Sequence, residues 1–122
     1  MSSGHLISII EDDDSLRRAL VGLIRSLGHD ARGFESAEEF AASTAMRSSA
    51  CIITDIQLPG MSGIELKQQL AERCCPVPVI MITARHEAGL EERAIAAGAV
   101  GYLKKPFEAG ALIDCLERVL KA

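Results

Sequence analysis

Residues 50–60 read Ala-Cys-Ile-Ile-Thr-Asp-Ile-Gln-Leu-Pro-Gly, and the first half of that stretch decides the fold. Ala50–Thr54 is a short, unbroken run of apolar and β-branched residues, and Pro59–Gly60 marks a turn soon after it. A strand with one wet face would alternate apolar and polar residues, whereas a continuous run fits a strand buried on both faces of a parallel sheet. Four more runs of this kind lie outward from it: Leu6–Ile10, Ala31–Phe34, Val77–Thr83 and Ala99–Leu103.

The intervening stretches read as helices. Leu16, Ala19, Leu20, Leu23, Ile24 and Leu27 recur at helical spacing, and Gly28 supplies a stop. Ser36–Glu39 has the capping-box pattern and opens a short second helix with Phe40 and Ala41 inward. Ser62–Glu65 repeats the pattern and opens a third helix reaching about Arg73. A fourth spans about Leu90–Ala97 and stops at Gly98, and a fifth carries Leu112, Cys115, Leu116, Val119 and Leu120 on one face. Five strand-then-helix units predict an α/β fold: a doubly wound parallel sheet with helices on both faces and right-handed crossovers. Ligands bind such sheets beyond the carboxyl ends of the strands.

The chain has 122 residues, which suits one domain over 1–122 with a sizeable core. Aromatics are 3% of it and tryptophan is missing, so the core is expected to be aliphatic. The formal net charge is −4 and no basic face is evident, which argues against direct nucleic-acid binding. No apolar run is long enough to span a bilayer. Met1–His5 has no signal-peptide character, so a cytoplasmic, non-membrane protein is expected. Cys51, Cys74, Cys75 and Cys115 show neither zinc spacing nor CxxC pairs. Cys51 and Cys115 read as core residues, Cys74–Cys75 as part of a loop, and all four as reduced thiols.

Chemistry gathers at the strand ends. Glu11–Asp12–Asp13–Asp14 follows the first strand. Acids favour a helix N-terminus, which accounts for Asp13 and Asp14 but not for acids beginning at the strand itself. Clustered carboxylates also fit a hard divalent cation held by oxygen ligands, Mg²⁺ rather than zinc. Asp55 ends the third run, where it either forms a turn or needs partners to be buried. Thr83 ends the fourth, and Lys104–Lys105–Pro106 follows the fifth. Singly these are commonplace. Together they are equipment for handling a phosphoryl group, without the glycine-rich loop of a nucleotide site.

Glu11–Asp12–Asp13, Thr54–Asp55 with Leu58–Pro59–Gly60–Met61–Ser62–Gly63, Ile82–Thr83–Ala84 and Lys105–Pro106–Phe107 resemble the receiver domain of bacterial response regulators over the whole chain, in order. With Ala97–Gly101, the pattern looks most like the nitrogen-fixation and nodulation type of regulator. The resemblance implies a flavodoxin-like (βα)5 fold with strand order 2-1-3-4-5. It makes Asp55 the phosphoacceptor for a sensor histidine kinase or phosphotransfer protein. It makes Mg²⁺ the cofactor, held by Asp12, by Glu11 through water, by Asp55 and by the backbone carbonyl of Gln57. Lys105 would pair with the phosphoryl oxygens and Thr83 would bond one of them. Tyr102 would move with Thr83 as a switch, and the Lys105–Pro106 peptide would be cis. Gln57 and Arg85 would flank the phosphoryl group and tune its lifetime, while Lys104 faces solvent. The chain would then be a signalling domain rather than an enzyme, catalysing only its own phosphotransfer and autodephosphorylation. It would dimerise on phosphorylation through the fourth helix, fifth strand and fifth helix. The chain would be either a stand-alone receiver or part of a longer regulator whose output is transcriptional through a DNA-binding domain outside these residues.

Three other classes fit less well. A Mg²⁺-dependent phosphohydrolase needs a cap insertion for which there is no spare segment. A flavodoxin-like cofactor module would set its phosphate against four acids. A receiver working without phosphorylation would be expected to have lost Asp12, Asp55 or Lys105, and all three are present.

Overall fold

The computed structural model describes residues 4–121. The apolar runs form β1 (Leu6–Ile10), β2 (Asp30–Phe34), β3 (Cys51–Asp55), β4 (Val79–Thr83) and β5 (Gly101–Lys104). All neighbours pair in parallel, in the order β2-β1-β3-β4-β5. The helices are α1 (Asp14–Ser26), α2 (Ala37–Ala41), α3 (Ala45–Ser48), α4 (Gly63–Glu72), α5 (Leu90–Ala96) and α6 (Ala109–Lys121). The four-residue α3 is additional to the sequence reading, so the expected fourth and fifth helices are α5 and α6.

The doubly wound architecture follows from the burial of every β3 and β4 residue. Alternate side chains enter two aliphatic clusters. Ile7, Ile9, Ile53, Ile80 and Ile82 meet Leu20 and Ile24 of α1 and Leu112 and Leu116 of α6. Ile10, Ile52, Val79 and Met81 meet Phe40, Leu66, Leu70 and Leu90 on the other side. Each such side chain contributes about 1.5–3 kcal/mol by leaving water. The α1 stripe is narrower than its spacing suggests: Leu20 and Ile24 are buried, Leu16 and Leu23 half-buried, and Ala19 and Leu27 exposed. In α2, Phe40 is buried and Ala41 half-buried.

Local chemistry sets the boundaries. Ser62 and Glu65 close a full capping box on α4, while Ser36 accepts the Glu39 N–H at α2. The fourth run begins its strand only at Val79, after Pro78, whose nitrogen has no hydrogen to donate. The fifth run starts its strand at Gly101 because Ala99 still donates to the Ala94 carbonyl and completes the stop of α5.

All four cysteines are free. Burial, with Cys115 nearby, pushes the Cys51 thiol up to about 12, so it stays protonated at neutral pH. The adjacent pair divides: Cys74 is exposed at φ +56°, while Cys75 is buried and donates its S–H to the Met46 carbonyl at 3.4 Å. Among the described residues no helix is long and apolar enough to cross a membrane.

Candidate functional site

The four acids after β1 separate into two roles. Asp13 is the N-cap of α1 and accepts the Leu16 N–H at 2.9 Å. Asp14 lies in the first turn and pairs with Arg17. Glu11 and Asp12 are left for the sheet edge. Glu11 is 1% exposed, although its backbone N–H still bonds across to the Phe34 carbonyl at 3.0 Å. Asp12 is exposed. The carboxylates of Glu11, Asp12 and Asp55 bring oxygens within 4.8 Å of one another.

Asp55 is the last residue of β3, in register with Ile82, so the strand carries its carboxylate to the sheet edge. The backbone around it is held from below: Thr54 Oγ1 donates to the Asp55 carbonyl at 3.0 Å. The start of α4 packs so closely that a Cβ on Gly63 would lie 2.5 Å from the Asp55 carbonyl oxygen. Only glycine allows that approach. The Asp55 carboxylate is divided between two donors: the Gln57 N–H reaches Oδ1 at 3.0 Å, and Lys105 Nζ reaches Oδ2 at 2.7 Å.

Lys105 enters from the loop after β5, where its peptide bond to Pro106 is cis and its N–H donates to the Thr83 carbonyl at 2.7 Å. Its ammonium also donates to Glu11 Oε1 at 2.8 Å. Lys104, one residue earlier, is exposed. One cation thus bridges two buried carboxylates. Burial is the largest influence on Glu11 and raises its pKa. The bond from Lys105 and the Asp13 N–H pull it down, and the Asp55 charge adds to the rise. For Lys105, burial works to lower the pKa, but the bonds to Asp55 and Glu11 outweigh it and keep the ammonium charged.

The strand-end residues named from the sequence therefore converge: Glu11, Asp12, Asp55 and Lys105 in one cluster, with Thr83 on the neighbouring strand. Thr83 is fully buried, donates its hydroxyl proton to Gln57 Oε1 at 2.6 Å, and accepts the Arg85 N–H at 3.0 Å. Sequence reasoning had no access to the first of these contacts. The resemblance implies a metal-binding carbonyl for Gln57 and a place flanking the phosphoryl group; in the structure its side chain bonds the end of a strand 26 residues away. Tyr102 is half-buried on β5 opposite Met81, packed against the cluster that contains Leu90. Burial, then the Glu91, Glu92 and Glu87 carboxylates, raise its phenol pKa.

Three carboxylates gather at the sheet edge, and the Lys105 ammonium reaches two of them, Glu11 and Asp55. A hard divalent cation suits such a set and would relieve its imbalance. A shallow cleft of about 470 Å³, lined by Leu16, Ala84, Lys105, Pro106 and Phe107, opens beside the cluster.

The family model for the response regulator receiver domain matches residues 7–117. Nodulation protein W of Bradyrhizobium diazoefficiens is 36% identical over 115 residues, covering 94% of this chain and 51% of that protein. Transcriptional regulatory protein FixJ of the same organism is 32% identical over 120 residues, covering 98% of this chain and 58% of FixJ. The chain thus spans about half the length of these curated relatives. In structure it matches the crystal structure of FixJ-N with a TM-score of 0.87 at 30% identity, covering 98% of this chain and 95% of that one.

Proposed function

The chain belongs to the response regulator receiver domain family of two-component systems, and from that premise we propose that residues 1–122 act as a single receiver unit whose phosphoacceptor is Asp55. The observation that carries this reading is the position of Lys105, whose ammonium lies 2.7 Å from Asp55 Oδ2 and 2.8 Å from Glu11 Oε1. A carboxylate nucleophile lies beside a fixed cation, which is what attack on an anionic phosphoryl group requires.

The donor is the phosphohistidine of a sensor histidine kinase or phosphotransfer protein. An Asp55 oxygen forms the bond to phosphorus as the phosphorus–nitrogen bond breaks, and the electron pair leaves with the imidazole, which takes up a proton. Lys105 offsets the charge of the transferred group. Asp12, Asp55, the Gln57 carbonyl and, through water, Glu11 are the groups that would hold Mg²⁺. When bound, Mg²⁺ supplies further neutralisation of the phosphoryl oxygens. The product is an acyl phosphate, so water can hydrolyse it at the same site, and the domain catalyses nothing beyond its own phosphorylation and dephosphorylation. The cleft beside Lys105 is the entry for the donor imidazole.

Phosphorylation shifts a two-state balance by giving Thr83 a charge-assisted acceptor, with Tyr102 following on β5. The surface that changes comprises α5, β5 and α6. Exposed Ile95 on α5 and Val100 before β5 support its use in dimerisation, since large apolar side chains there meet solvent. The output is transcriptional, through a domain such as the remaining half of the longer relatives would provide, and the setting is cytoplasmic. With Mg²⁺ and acetyl phosphate, the wild-type chain should gain one phosphoryl group by intact-mass analysis, base-labile as an acyl phosphate is. Asp55→Asn should gain none, and labelling of that variant would move the acceptor elsewhere.

A further inference from the structure

We propose that Gln57 is a latch on the switch residue: its side-chain amide holds the Thr83 hydroxyl proton that the phosphorylated state needs, and so sets how readily the domain switches. The inference rests on the phosphoacceptor reading of Asp55 and concerns the bond from Thr83 to the Gln57 side chain, which the expected place of Gln57 flanking the phosphoryl group does not include.

A threonine hydroxyl has one proton to donate. In this structure the proton goes to Gln57 Oε1 at 2.6 Å, and an oxygen lone pair takes the Arg85 N–H at 3.0 Å. Thr83 is fully buried, so solvent does not compete for the hydroxyl. A phosphoryl oxygen on Asp55 is a second acceptor for the same proton. The two bonds exclude each other, and Gln57 must let go before Thr83 turns to the phosphoryl group.

The latch is tied to the acceptor. Gln57 donates its backbone N–H to Asp55 Oδ1 at 3.0 Å, so one residue touches both the carboxylate to be modified and the hydroxyl to be released. The released amide also has room. An open cleft of about 480 Å³ lies alongside, lined by Gln57, Leu58, Arg85 and Arg93 among others. Gln57 is a positioning residue here: it acts through Thr83 and not on the phosphorus.

Its removal should tighten binding of a phosphoryl mimic, because the bond broken on binding is no longer there to break. The test titrates the full chain with Mg²⁺ and beryllofluoride, following the bound species by fluorine NMR. In Gln57→Met the midpoint should fall roughly fivefold, the equivalent of one ordinary neutral hydrogen bond. In a Thr83→Val background, Gln57→Met should leave the midpoint where Thr83→Val alone sets it. A role confined to packing, or a direct contact of Gln57 with the phosphoryl group, would not disappear with the hydroxyl. A midpoint unchanged or raised in Gln57→Met overturns the latch, and so does a fivefold fall that persists without the Thr83 hydroxyl. A folded wild-type chain that binds no beryllofluoride overturns the Asp55 reading itself, and the latch with it.

Discussion

Replacing Lys105 with methionine keeps most of the apolar stem and removes the one cation shared by Glu11 and Asp55. Both carboxylates stay buried, at 1% and 5% exposure. Removing one partner of a buried ion pair costs about 3–5 kcal/mol. A carboxyl can escape that cost by taking up a proton, which sets a ceiling dependent on pH. Relative to an unfolded glutamate with a pKa of about 4.3, protonation at pH 7 costs about 1.4 kcal/mol for each of about 2.7 pH units, or about 3.7 kcal/mol. At pH 5 the same ceiling is about 1 kcal/mol. Burial already raises the Glu11 pKa, so Glu11 is the carboxyl that takes the proton. Its folded pKa then lies further above the unfolded value, and the variant loses stability as pH rises from about 4.3 toward that folded pKa. Metal-free urea denaturation should show Lys105→Met less stable than wild type by about 3 kcal/mol at pH 7 and by about 1 kcal/mol at pH 5, with unchanged slope. A deficit equal at the two pH values, or larger at pH 5, would refute the reasoning, because it would mean that the lost ammonium was not compensating buried charge.

Metal binding should depend on Asp12 more than on Glu11. Mg²⁺ at ten times its Kd should stabilise wild type by about 1.4 kcal/mol in thermal melts; Asp12→Ala should lose most of that gain and Glu11→Gln less. Equal losses would place Glu11 among the direct ligands. Thr83→Ala should still accept phosphate at Asp55 by intact mass, yet dimerise less than phosphorylated wild type in sedimentation; full dimerisation would break the relay. Gly101→Ala should destabilise the fold by about 1–3 kcal/mol, because its Cβ would lie 2.4 Å from Cys115 Sγ. Combining it with Cys115→Ala should cost less than the two single losses added together, measured by urea denaturation.

Most of this architecture can be read from apolar runs, because a parallel strand buried on both faces has a signal that needs no partner to interpret. The boundaries moved where a backbone group had other business: Pro78 has no N–H to give, and Ala99 is still committed to the end of α5. Helix α3 is too short, and Ser43 to Ser49 too polar, for any apolar period to announce it. The charged members of the site were legible because strand ends in such a sheet converge by topology alone. The contact between Gln57 and Thr83 was not, because it depends on how a loop residue approaches the end of a strand 26 residues away. A glutamine two residues past a strand end carries no trace of that in the sequence.

Tyr102 gives the protein a property separate from its chemistry. It is the only tyrosine, and there is no tryptophan. It sits half-buried on the edge strand beside three glutamates of the α5 region. The tyrosine band of the chain's near-ultraviolet absorbance, and its emission, therefore come from one ring on one face, while the buried Phe34 and Phe40 absorb only weakly and at shorter wavelength. Light therefore reports the face on which Tyr102 lies, without a dye and without a mutation.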